Sequence, residues 1–203
     1  DAQQAALPDG RDWYNHNVKV ETTTDLTADE IHQIGLREVE RIRAEMERVK
    51  AEAGFEGSLT EFFEFLRTDP QFFYTEPEDL LTGYRDIAKR IDPGLPRLFK
   101  TLPRLTYGVV AVPEYSEKTQ TTAYYNGGSY EAGRPGLFYA NTYDLNSRPK
   151  WEMEALTAHE AVPGHHLQIS LAQELENVPR FRRFGGAASS SWSAVRLAYQ
   201  TSR

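Results

Sequence analysis

The sequence predicts a mainly α fold, with long amphipathic helices and a small antiparallel β-sheet beside a helix that carries a histidine–glutamate motif. Three observations lead there. Two Ser/Thr-x-x-Glu cap signatures, Thr27-Ala-Asp-Glu30 and Ser58-Leu-Thr-Glu61, each precede apolar residues at helical spacing. Between residues 107 and 142 the pattern changes to short β-branched and aromatic runs separated by glycines. From Pro149 the helical spacing returns and runs through the motif to Leu175.

The elements follow in order. Residues 1–24 are polar and read as irregular, with Pro8-Asp9-Gly10 as a turn. A helical part covers 25–105. Its first helix has Ile31, Ile34, Val39, Ile42, Met46 and Val49 on one face and stops at Gly54. A short second helix carries Phe62, Phe63, Phe65 and Leu66 and ends before Asp69-Pro70, because the ring of proline disfavours a helical residue before it. The third opens at Thr75-Glu-Pro-Glu78, shows an apolar stripe of Leu80, Leu81, Tyr84, Ile87 and Ile91, and closes at Asp92-Pro93-Gly94. The small sheet is expected within 107–142, from the runs 107–112, 121–125 and 136–142. The motif helix spans 149–176, and an atypical tail covers 187–203. The 203 residues suit a single domain or a piece of a larger one.

Composition narrows the function classes. A net charge of −7 argues against a nucleic-acid-binding surface, which needs clustered Lys and Arg. There is no apolar run of about 18 residues, so no membrane span is expected. Cysteine is absent, so a metal would be held by His, Asp or Glu. These features leave the compartment open, with cytoplasmic and exported locations both compatible. Beyond Glu176 there is no acidic residue, while Arg180, Arg182, Arg183, Arg196 and Arg203 make that end basic.

The chemistry concentrates in His159-Glu160-Ala-Val-Pro-Gly-His165-His166. Two imidazoles one helical turn apart with a glutamate between them are the zinc-and-base arrangement of a His-Glu-x-x-His helix. Here the position of the second histidine is Pro163. In a straight helix His165 would point about 120° away from His159, and His166 would lie about 10 Å along the axis. An unbroken helix therefore cannot build the site. Pro163-Gly164 supplies the break: proline kinks or bulges a helix, and glycine accepts the unusual dihedrals beside it. His165 is the expected second zinc ligand with His159, Glu160 is the general base, and His166 is a transition-state donor or an outer partner.

The segment His-Glu-Ala-Val-Pro-Gly-His-His-Leu-Gln resembles the signature of the bacterial family catalogued as domain of unknown function 885. The resemblance extends to Leu7-Pro-Asp-Gly10, Thr22-Thr-Thr-Asp-Leu-Thr27, Thr121-Thr-Ala-Tyr-Tyr125 and Arg134-Pro-Gly-Leu-Phe-Tyr-Ala-Asn141, covering residues 7 to about 186. It implies a mostly helical, zincin-like metallopeptidase whose motif helix lies beside a small sheet. An edge strand in such proteins binds the substrate backbone, and residues 136–142 are the candidate. Tyr125, Arg134 and Asn141 are then candidate substrate contacts, with Tyr125 also a candidate oxyanion donor.

One departure from the family pattern bears on competence. After an Arg-Phe-Gly-Gly-like stretch, the resemblance implies a Glu-Gly-Trp-Ala helix whose glutamate is a third zinc ligand. Aligning Trp192 with that tryptophan puts Ser190 at the glutamate position. Two accounts stay open: an altered end on a piece of a longer enzyme, or a third ligand from upstream, for instance Glu154, or from another chain. The expected activity is hydrolysis of a peptide or small amide bond by zinc-activated water. The rivals are a metal-dependent esterase or amidase on the same scaffold and a catalytically inactive helical binding module.

Overall fold

The computed structural model describes residues 6–184. Two compact units divide the chain between Leu66 and Arg67, so the boundary falls inside the stretch that the sequence reads as one helical part.

The first unit is helical. Helix α1 spans Gly10–Thr22, where an irregular segment was expected. It has no side-chain cap, and Asp9 at its start has a positive φ; of its residues only Gly10 is buried. A helix without a cap signal and without a buried stripe leaves no periodic trace in sequence. Helix α2, Ala28–Glu52, begins on the predicted capping box: the Glu30 N–H donates to the Thr27 hydroxyl, and the Glu30 carboxylate accepts from the Thr27 N–H. Its polar surface carries i,i+3 pairs such as Arg41–Glu38 and Arg48–Glu45. Helix α3, Leu59–Thr68, starts on the second box, Ser58 with Glu61. Phe55 folds back onto it, 5.1 Å from the Phe62 ring and 5.2 Å from Phe65.

The second unit holds the sheet and the motif. Helix α4 spans Pro77–Ile91 and has proline in its first turn, where a missing N–H costs nothing. Its face of Leu80, Leu81, Tyr84 and Ile87 is buried as the stripe predicts. The one-turn helix α5, Leu95–Leu98, follows. The strands are β1 (Tyr107–Ala111), β2 (Ala123–Asn126) and β3 (Gly136–Ala140), in the order β1-β3-β2.

The sheet is mixed rather than wholly antiparallel. β2 and β3 pair antiparallel, with Ala123 opposite Ala140, whereas β1 and β3 run parallel, with Tyr107 opposite Gly136. The eleven residues between β1 and β2 are too many for a tight hairpin and let β1 cross to the far side of β3. Phe138 in the central strand is fully buried and meets the Tyr84 ring edge-on at 5.2 Å. Met153 and Ala161, which bracket helix α6 (Met153–Glu160), complete that core. A second cluster joins Leu95 and Val162 to Leu167 and Leu171 of helix α7, His165–Glu174. The short α8, Arg180–Phe184, ends the described chain. The predicted tail 187–203, with Ser190 and Trp192, lies outside the described residues.

Candidate metal centre

The motif helix expected over 149–176, with its break at Pro163-Gly164, is two helices with a turn between them. α6 keeps regular bonding to its end, where the Ala161 N–H still reaches the Thr157 carbonyl. Ala161 itself has left helical space (φ −97°, ψ −103°), and the Val162-Pro163 peptide is cis. The chain re-enters a helix at His165, with the His166 N–H bonding five residues back to Ala161 and the Gln168 N–H to Gly164.

This turn does what a straight helix cannot. The His159 and His165 rings stand 4.7 Å apart between centroids, close to perpendicular. Among the described residues, His159, Glu160 and His165 offer ligand atoms that all lie within 4.8 Å of one another. Donors within this reach of one another are a candidate site for one divalent ion; tetrahedral ligands bound at ~2.1 Å would stand about 3.4 Å apart. Imidazole and carboxylate are the donors zinc takes in the absence of cysteine, and a carboxylate beside two imidazoles can serve either as a ligand or as a base. His159 is exposed, His165 is half-buried and Glu160 is only 8% exposed. Access is therefore from the His159 side, with the carboxylate at the base.

His166 belongs to a different set. Only 2% exposed, it faces the Leu105 carbonyl at 3.0 Å through Nε2 and the Tyr125 hydroxyl at 2.8 Å through Nδ1. A carbonyl can only accept, so Nε2 carries the proton and Nδ1 accepts from Tyr125. Burial pushes the His166 pKa down to about 4, the Leu105 bond opposing it, and the ring is neutral at physiological pH. The Tyr107 ring packs on it at 4.7 Å, and the Ser170 hydroxyl lies 3.3 Å from Nδ1. Burial raises the Tyr125 pKa, against hydrogen bonds from Ser170 and the Gly128 backbone that lower it.

The remaining sequence candidates disperse. Asn141 is 1% exposed and fully engaged: its amide donates to the Glu117, Gln120 and Thr121 carbonyls, and its oxygen accepts from the Tyr143 N–H. It anchors a loop, its amide committed to these backbone partners. Arg134 is exposed, in a turn closed by paired backbone bonds with Ser129. Residues 136–142 are not an edge: β3 is bonded on both sides, and the edge strand packed near α6 is β2. Glu154, offered as an upstream ligand, is exposed and paired with Arg90 at 3.0 Å, outside the cluster. Sequence reasoning missed Ser170, Leu105 and Gly136. Ser170 alone left a signal, standing four residues after His166 on one helix face.

A family model described as bacterial protein of unknown function (DUF885) matches residues 1–192. The chain belongs to this family. No curated protein matches it. Among solved structures, the chain is similar to "the putative lipoprotein from Colwellia psychrerythraea", with TM-score 0.80 and 28% identity over 96% of this chain. This chain spans 35% of the length of that one. No helix among the described residues is long and apolar enough to cross a membrane.

Proposed function

We propose that this DUF885 chain is the metal-binding part of a zinc-dependent hydrolase, and that the reaction is cleavage of a peptide bond. The observation that carries the reading is the convergence of His159, Glu160 and His165 across the Pro163-Gly164 turn. His159 and His165 would hold the ion through imidazole nitrogens. A bound zinc would polarise the scissile carbonyl and lower the pKa of its water toward ~7. Glu160 accepts the proton of the attacking water, keeps it in a largely buried pocket, and returns it to the leaving amine. The open outer edge of β2 can take an extended substrate by strand addition. Arg134 is an exposed cation available to a substrate carboxylate. The likeness to a protein described as a lipoprotein supports an exported location.

A second reading has its own observation. Serine at 190 stands where the family resemblance implies a glutamate ligand, which favours an inactive binding module that keeps the scaffold. Metal analysis of the full-length protein decides between them. Near-stoichiometric zinc is expected, lost in His159→Ala and in His165→Ala. Glu160→Gln should retain zinc and lose hydrolysis of a mixed-peptide library. Zinc-free protein from a zinc-supplemented preparation would overturn the enzyme reading. Hydrolysis of esters but not peptides would redirect it to an esterase.

A further inference from the structure

We propose that His166 and Tyr125 are positioning residues for the metal site, whose hydrogen bond fixes the start of α7 so that His165 faces His159. The proposal rests on the zinc reading above and assigns neither residue a contact with metal or substrate.

His165 is the first residue of α7, and the chain before it, from Ala161 to Gly164, is not helical. First-turn residues lack a complete set of intrahelical bonds and fray easily. The direction of the His165 ring is therefore set by whatever pins the beginning of α7. That pin is the next residue. The His166 ring is held from two segments: residues 105–107, through the Leu105 carbonyl at 3.0 Å and the tilted Tyr107 ring at 4.7 Å, and β2, through the Tyr125 hydroxyl at 2.8 Å. Successive helical residues project about 100° apart. A ring locked toward the sheet at 166 turns the ring at 165 to the side where His159 stands.

Two further features fit this role. Both ring nitrogens of His166 are used, so neither is left to compete for the ion. The space for the network is provided by Gly136, where a Cβ would lie 2.0 Å from the Tyr125 hydroxyl oxygen and 2.9 Å from His166 Nδ1. The bond joins α7 to the sheet across 41 residues of sequence, so it forms only once the second unit has folded.

The test uses the full-length protein with Co(II) as probe, read by its dissociation constant and its visible absorption bands. Tyr125→Phe and His166→Gln are each expected to weaken Co(II) binding about tenfold or more and to shift the bands, as loss of an outer-shell support does. Asn141→Ala, which removes buried hydrogen bonds elsewhere in the same unit, is the control: it should lower the melting temperature and leave the affinity and bands unchanged. Tyr125→Phe keeps the ring and so remains informative if His166→Gln fails to fold. Unaltered affinity and bands in Tyr125→Phe would overturn the positioning role, as would an equal loss in Asn141→Ala. Failure of the unsubstituted protein to bind Co(II) would instead overturn the metal reading, and this role with it.

Discussion

A Cβ on residue 164 would stand 1.8 Å from the carbonyl oxygen of His159 and 2.4 Å from its carbonyl carbon. The return turn of the motif thus lies directly on the backbone of the first histidine. The obstacle is main chain at the end of a regular helix and cannot rotate away. Gly164→Ala should therefore force the turn open, lower stability by about 3 kcal/mol or more, and separate His165 from His159. Thermal unfolding followed by circular dichroism gives the first quantity and elemental analysis the second. A stable, zinc-loaded Gly164→Ala protein would mean that the two histidines do not depend on this close approach.

Gly136 is hemmed in likewise, with a side chain as the obstacle. A methyl group there meets the Tyr125 hydroxyl, which must move and release His166. Gly136→Ala and Tyr125→Phe then remove one and the same interaction. Their effects on stability should be less than additive, with a coupling of about 1 kcal/mol in a double-mutant cycle. Strictly additive losses in urea unfolding would contradict a shared target.

Asn141 offers a prediction of the opposite kind. Its four hydrogen bonds hold the 117–121 loop and the chain after β3, and alanine takes the side-chain partner from three carbonyls and one N–H in a part-buried place. Asn141→Ala should cost about 2–3 kcal/mol by urea unfolding. At temperatures where the variant remains folded, any peptide hydrolysis should proceed at the unsubstituted rate. A selective rise in KM at unchanged stability would restore Asn141 to the substrate site.

The elements whose signals are local were legible in the sequence. Thr27 with Glu30 and Ser58 with Glu61 mark helix starts because a cap is completed within four residues, and Leu80 to Ile87 betray a buried face because period and burial coincide. The need for a break at Pro163-Gly164 was also readable, since a straight helix separates His159 from His165 by simple geometry. What stayed hidden depends on distant chain. The parallel pairing of β1 with β3 is decided by a crossover, and the partners of His166 lie 41 and 61 residues away. Asn141 reads in the sequence as a candidate substrate contact, and only the fold shows its amide facing three carbonyls. Helix α1 was missed because it carries neither cap nor buried stripe.

The two capping boxes should give the first unit a distinct acid limb. Hydrogen bonds from the Thr27 N–H to Glu30, and from the Ser58 N–H to Glu61, hold both carboxyls below the usual value of 4.5, the cap hydroxyls adding to the effect. A folded pKa below the unfolded one means that the unfolded chain binds more protons as pH falls through this range. The contribution of each box is therefore complete above the unfolded value and is lost as pH drops through the lower folded value. Helicity should stay level from pH 7 to about 5 and decline below the usual glutamate range. In Glu30→Gln/Glu61→Gln the amide oxygens still accept from the cap N–H groups but without charge. That variant should be less stable at pH 7, and the difference from the unsubstituted protein should shrink as pH falls below the usual glutamate value of 4.5. Both proteins sit inside the same background titration, so subtracting one melting curve from the other at each pH isolates these two carboxylates. A difference that persists unchanged to pH 3 would show that the boxes act through packing or side-chain length and not through ionised carboxylates.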